Sequence, residues 1–164
     1  FEQRSPVVLL CCGSFNPVTV GHLKMFEIAR SFLEHTGKHI VIGGVFSPVH
    51  ENYSKTGLLP STYRAAMCNI AIQKHAWLSV DTWESSQPDW VKTIKVLQHL
   101  SNKIKDNMVY GAAYDLRRTK VMLLCGGDLL ESFGVPGLWS EDDICSIVSE
   151  YGIVCIPRTS ENSE

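Results

Sequence analysis

Nowhere does an apolar run approach the ~18 residues needed to cross a bilayer; Val7 to Cys12 and Ile40 to Phe46 are both far too short. No basic stretch followed by an apolar core opens the sequence, so no targeting segment is legible. The chain begins at Phe1 rather than at an initiator Met and reads as trimmed or processed. An excess of one charge sign is missing too. Fifteen Lys and Arg stand against 17 Asp and Glu, a net charge of −2, which leaves no bias toward nucleic acid or an anionic membrane. A pocket can still set its own field for a small polyanion. The six cysteines contain no CxxC pair, and no Cys and His cluster at zinc-ligand spacing. Four of them lie in apolar runs, where a free thiol behaves as a small buried hydrophobe. This reads as reduced structural cysteine in an intracellular protein, cytoplasmic or nuclear; Arg117-Arg-Thr-Lys120 is too short to serve as a nuclear signal. With no repeat and no low-complexity tract, 164 residues at 45% hydrophobic and 20% charged describe one globular domain, 1–164, able to bury a core.

What is present is an alternation. Short apolar runs at Val7–Cys12, Ile40–Phe46, Trp77–Asp81, Val121–Cys125 and Gly152–Ile156 read as strands. Between them lie helical patterns. The first covers His22 to Thr36, with Leu23, Phe26, Ile28, Ala29, Phe32 and Leu33 on its apolar side and Gly37 as its stop. Pro60 and Ser61 open a second, through Met67, Ile70 and Ala71. Ser86 or Pro88 starts a third, with Trp90, Ile94, Leu97 and Ile104 along one face. Ser140 caps a fourth, with acids in its first turn and Ile144, Ile147 and Val148 following. Residues 105–119 lack periodicity and read as a surface insertion. Continuous rather than alternating apolar strands imply a parallel sheet covered on both faces. The fold class expected is therefore α/β, doubly wound and Rossmann-like.

In such sheets ligands bind beyond the carboxyl ends of the strands. After the first strand comes Gly13-Ser-Phe-Asn-Pro-Val-Thr-Val-Gly-His22. Gly13 lets the backbone approach a ligand, and Gly21-His22 sits at a helix mouth, where free N–H groups and the dipole favour an anion. The segment is neither a Walker A loop, since His22 stands where the lysine would be, nor GxGxxG. Its plainer alternative is an ordinary Gly-Pro turn before a helix. No Ser/His/Asp or Cys/His order suggests a covalent nucleophile.

Gly13-x-Phe15-x-Pro17-x-Thr19-x-Gly21-His22 resembles the GxFxPxHxGH signature of the nucleotidylyltransferase superfamily, with Thr19 in place of the first His. Ser47-Pro-Val, Trp83-Glu-Ser, Trp90-x-x-Thr93-x-Lys-Val-Leu97, Leu123-Leu-Cys-Gly-x-Asp128-Leu-Leu-Glu-Ser-Phe133 and Leu138-Trp139 extend the likeness from Val7 to Arg158. Together they resemble the eukaryotic nicotinamide/nicotinate-mononucleotide adenylyltransferases. That resemblance implies ATP and the mononucleotide as substrates, NAD or its deamido form and pyrophosphate as products, and Mg²⁺ carried with ATP rather than held by protein side chains. It also implies a homo-oligomer as one outcome, with no nucleic-acid or membrane partner.

By position, Gly13, Ser14 and His22 would meet the phosphates, with His22 stabilising the charge that develops in transfer. Lys55 would bind phosphate, or stand as a solvated loop cation. For Arg64 a surface or ion-pair role is equally open. Trp90 and Trp139 would sandwich the cationic nicotinamide ring, with Thr93 and Leu138 holding its carboxamide. Spacing alone allows core packing for both tryptophans, although the Pro136-Gly137 loop favours an exposed ring for Trp139; Trp83 belongs to the core. Asp128, with Gly126 before it, would take a ribose hydroxyl or cap a helix. Arg158 would contact the mononucleotide, or remain a solvated arginine. The resemblance also implies a further strand and helix with an Ile-Ser-x-x-x-x-Arg segment, and the sequence runs Arg158-Thr-Ser-Glu-Asn-Ser-Glu164 without one. The expectation is thus a domain incomplete at its C-terminus. The alternative functions are a nucleotide-binding or chaperone-like module on the same scaffold.

Overall fold

Among the described residues, five strands make one wholly parallel sheet in the order β3-β2-β1-β4-β5. The strands are β1 (Ser5–Gly13), β2 (His39–Pro48), β3 (Leu78–Val80), β4 (Lys120–Gly126) and β5 (Ile153–Ile156). The helices are α1 (Val20–His35), α2 (Ser61–Ala71), α3 (Thr93–Asp106), α4 (Gly127–Ser132) and α5 (Glu141–Ser146), the last running into a π turn at Ile147–Tyr151. The structure is a computed structural model that describes residues 4–53, 56–106 and 116–157.

β1 shows why its apolar run is continuous. Val7, Leu9 and Cys11 join one core layer with Phe26, Ala29 and Leu33 of α1 and Cys68 of α2. Val8 and Leu10 join the opposite layer, with Ile94, Leu97, Leu100 and Ile104 of α3 and Ile147 of the π turn. Alternate side chains of one strand thus feed two buried layers, and helices cover both faces as expected. Close packing of α1 depends on Gly44 of β2. A Cβ there would lie 2.6 Å from Leu78 and 2.8 Å from Phe26. The expected stop at Gly37 also holds, with φ +76 just beyond the last turn of α1.

Several local readings are corrected. On α1 the core stripe is Phe26, Ala29 and Leu33, while Ile28 and Phe32 are exposed. On α2 the buried stripe is Ser61, Arg64, Ala65 and Cys68, the helical i, i+3, i+4, i+7 spacing; Ile70 points to solvent. α3 starts at Thr93, so Trp90 precedes the helix instead of lying on its face. Residues 105 and 106 close α3 and Leu116–Arg118 form a 3₁₀ turn, while the rest of the expected 105–119 insertion, 107–115, lies outside the described residues. Val148 is exposed in the π turn. α4 is foreshadowed only by the helix-capping alternative for Asp128.

The crossover from β3 through α3 to β4 reverses the winding. It leaves β1 and β4 adjacent, with their connections leaving on opposite faces. That is the topological switch point, where a ligand crevice belongs. The register Leu10↔Leu123 sets Gly13 level with Gly126 at its two lips.

Candidate functional site

The lip formed by β1 is tightly built. Phe15 adopts φ +45, a region disfavoured for a bulky residue, and its ring is buried at 3% exposure. It meets Phe46 edge-on at 5.0 Å and His22 at 5.1 Å. Surrounding contacts must hold such a conformation, and Gly13 is one reason they can: a Cβ there would stand 3.1 Å from the Phe15 ring. The Asn16–Pro17 peptide is cis. Asn16 donates to the Gly57 carbonyl at 3.0 Å and accepts from the Leu59 N–H at 3.2 Å. Val49 N–H donates to the Gly13 carbonyl at 2.9 Å. The turn after β1 is therefore tied to the chain on both sides of the loop after β2.

His22 is the third residue of α1, and its Nδ1 accepts the Thr19 backbone N–H at 2.9 Å, with Thr19 Oγ1 at 3.0 Å. This is a capping box in which histidine replaces the usual Glu or Gln. Because Nδ1 is an acceptor, a neutral ring carries its proton on Nε2. The neighbours that close the helix mouth thereby select the donor tautomer. The donor that does it is the Thr19 backbone N–H, which any residue but proline would supply at that position.

Arg64 is neither a surface residue nor, among the described residues, half of an ion pair. It is fully buried, and donates through Nη1 to the Ser14 carbonyl at 2.9 Å, through Nη2 to Val49 at 2.7 Å and through Nε to Leu59 at 2.7 Å. Beside it lies a second buried polar group. Glu84, 3% exposed, accepts from Ser47 Oγ at 2.7 Å. Burial pushes its carboxyl up to about 7, against the pull of Ser47 and Arg64. Burial also raises the thiols of Cys11 to about 12, Cys68 to about 11 and Cys125 to about 12. None of these three is a thiolate nucleophile at neutral pH.

The other lip is shallower. Gly126 caps α4, and a Cβ on Gly126 or Gly127 would meet nothing within 4 Å, so space is open there. Asp128 is exposed in the first turn of α4, but Gly126 is the N-cap and no side-chain cap hydrogen bond is made, so the helix-capping reading is not met and the carboxylate stays open to a ribose hydroxyl. Trp90 is 44% exposed on the segment before α3, with its backbone N–H on the Asp89 carboxylate at 2.7 Å. Asp89 also accepts from Asn52, and the His50 ring meets the Gln87 carbonyl, stitching the loop after β2 to this segment. Thr93 is half-buried at the start of α3.

Leu138 is exposed, whereas Trp139 is half-buried, contrary to its expected exposure. The Trp139 Nε1–H donates to Ser132 Oγ at 3.0 Å, and its ring packs edge-on against Phe133 at 4.8 Å. No ring contact joins Trp90 to Trp139 among the described residues. Trp83 fits its core reading, with the His99 ring stacked on it at 4.2 Å. Lys55 and Arg158 lie outside the described residues. Among those described, no group of three His, Cys, Asp or Glu is gathered to hold a metal, and no helix is long and apolar enough to cross a membrane.

Sequence reasoning missed the Arg64 clamp and the Ser47–Glu84 pair. The signal was available in α2, where an arginine falls among small residues at core spacing.

A family model described as cytidylyltransferase-like matches residues 10–163. The nicotinamide/nicotinic acid mononucleotide adenylyltransferase 1 of Bos taurus is 38% identical over 193 residues, covering 99% of this chain and 69% of that protein. Its Saccharomyces cerevisiae counterpart is 42% identical over 163 residues, covering 98% of this chain and 41% of that protein. Among solved structures, the nicotinic acid mononucleotide adenylyltransferase of Plasmodium falciparum complexed with NaAD superposes with a TM-score of 0.57 at 15% identity. That superposition covers 96% of this chain and 78% of that one, and shows a shared fold.

Proposed function

The chain belongs to the nicotinamide/nicotinic acid mononucleotide adenylyltransferases of the cytidylyltransferase-like family, and on that premise we propose how its residues divide the work. The reaction transfers the adenylyl group of ATP to nicotinamide or nicotinate mononucleotide, as a step of NAD biosynthesis. An oxygen of the mononucleotide 5′-phosphate bonds to the α-phosphorus, the bond from that phosphorus to the β-phosphate oxygen breaks, and pyrophosphate leaves. Such a transfer asks for positioning and charge stabilisation rather than a covalent nucleophile.

His22 donates from Nε2 to a phosphate oxygen where negative charge builds. The N-terminus of the 16-residue α1 adds its dipole, and Gly13 and Ser14 bring the backbone close. Lys55 and Arg158 supply cations to ATP and the mononucleotide respectively. Mg²⁺ carried with ATP would supply charge neutralisation on the phosphates, and among the described residues no group of side chains is gathered to hold it. Gly126 leaves room for the ribose and Asp128 accepts its hydroxyl. Trp90 and Trp139 face the nicotinamide ring, and Thr93 with the Leu138 backbone takes the carboxamide. The observation that carries this reading is the Thr19–His22 lock at the mouth of α1, which readies a phosphate donor at the switch point.

The test is direct. The 164-residue chain is incubated with nicotinamide mononucleotide, ATP and Mg²⁺, and NAD is measured. Stoichiometric NAD and pyrophosphate support transfer. Mononucleotide binding that Trp139→Ala abolishes, without any product, would instead support the binding-module alternative.

A further inference from the structure

A guanidinium out of water carries a desolvation cost that three neutral carbonyls only partly meet, because dipoles satisfy its donors without cancelling its charge. Arg64 is in that position. Its side chain donates to the carbonyls of Ser14, Val49 and Leu59, and among the described residues no carboxylate lies within ion-pair distance of it. The nearby acids balance it only in part. Glu51 is exposed and engaged by Ser61, so water screens it. Glu84 is buried against Ser47, and burial raises its carboxyl to about 7, so it is mostly protonated below neutral pH and only partly ionised at it. The side chain therefore leaves a net positive charge directly behind Ser14, and its fork joins three turns: one after β1, one after β2 and one before α2.

We propose that Arg64 is a positioning residue for anion binding. It fixes the Ser14 turn and supplies, from inside the protein, positive charge that is complemented only when a phosphate occupies the crevice. The inference deepens the adenylyltransferase reading and rests on it for the identity of the anion. A merely structural arginine would affect all ligands alike; this one affects those that carry phosphate.

The experiment compares two ligands that differ by that one group, nicotinamide mononucleotide and nicotinamide riboside. Dissociation constants for both are measured by calorimetry on the wild type, Arg64→Lys and Arg64→Met, with folding checked by near-UV circular dichroism. Lysine keeps the charge but cannot span three carbonyls; methionine keeps neither. The expected result is mononucleotide binding weakened about tenfold in Arg64→Lys and further in Arg64→Met, with riboside binding unchanged. Equal losses for both ligands, or no loss, overturn the proposal.

Should both variants fail to fold, Glu84→Gln carries the test, being isosteric and able to accept from Ser47. The groups facing Glu84 are Ser47, Cys12, Arg64 and Asp81. At pH 8, where the wild-type carboxylate offsets Arg64, Glu84→Gln is expected to tighten mononucleotide binding a few-fold and leave the riboside untouched. An unchanged ratio between the two ligands overturns the proposal. A wild type that binds neither ligand refutes the adenylyltransferase reading instead, so the two failures are distinct.

Discussion

On the β1–β2 side of the crevice the turns are held from beneath, by a fully buried arginine, a buried Ser47–Glu84 pair and the Phe15 ring. On the β4–β5 side, α4 and α5 bury no residue at all, and Leu138 stands exposed beside a half-buried Trp139. The difference matches the proposed division of labour, with charge stabilisation on the first side and ring binding on the second. Charge that appears only in the transition state is best met by donors fixed in advance, since reorganising them would cost what they stabilise. An aromatic ring is held by stacking contact, which tolerates adjustment.

The largest test of this contrast removes the fixed donor. His22→Ala is expected to lower kcat by about 10²–10³, the range for losing one preorganised donor to developing charge, with KM for the mononucleotide changed less than threefold. Steady-state kinetics check it, and a loss confined to KM would make His22 a binding group only.

Next comes the cost of the buried carboxyl. Glu84 titrates near 4.5 ordinarily and at about 7 in the fold, so the native state holds its proton where the unfolded chain has released it. Its contribution is complete below about pH 4.5 and is lost as pH rises to about 7, a swing of up to about 3 kcal/mol. Glu84→Gln is expected to abolish that slope. Urea unfolding of both proteins from pH 4.5 to 8 measures it, and parallel curves would refute it.

How much of this was legible in the sequence varies with what the sequence encodes locally. β1, β4 and the parallel sheet were, because residues buried on both faces write an unbroken apolar run. The Gly13–His22 turn was legible because a few of its residues have chemical reasons to stand where they do. The stripe of α2 was not. Its exposed Ile70 and buried Arg64 invert the usual pattern, and the carbonyls that satisfy Arg64 come from turns distant in sequence. Trp90 was misplaced because its spacing from Ile94 and Leu97 continues a helical period beyond the point where α3 begins. The extent of α4, hinted at only by the capping alternative for Asp128, was not legible because a six-residue helix without a buried face leaves no periodic trace.

A smaller effect separates the two lips by a single methyl group. Gly13→Ala is expected to lower stability by about 1–2 kcal/mol, since its Cβ crowds the Phe15 ring. Gly126→Ala, with open space around it and φ −87, should stay within about 0.5 kcal/mol of wild type yet weaken mononucleotide binding. Thermal unfolding and calorimetry distinguish them; equal destabilisation would erase the contrast. Smallest is Trp139→Phe, which keeps a ring but loses the indole donor to Ser132. It should weaken the mononucleotide by a few-fold, about 1 kcal/mol, and a change of tenfold or more would mean that this lip is as finely set as the other.

Amide hydrogen exchange, with and without nicotinamide mononucleotide, tests the contrast most directly, because it reads local opening on both lips of one molecule. The account predicts that Thr19 and Val49, whose N–H groups are bound at 2.9 Å to His22 and Gly13, are protected before ligand arrives and change little afterward. It predicts that residues 133–139 exchange fast in the free protein and slow by an order of magnitude or more on binding. Fast exchange at Thr19 and Val49 that only the mononucleotide suppresses, with 133–139 already protected, would contradict it.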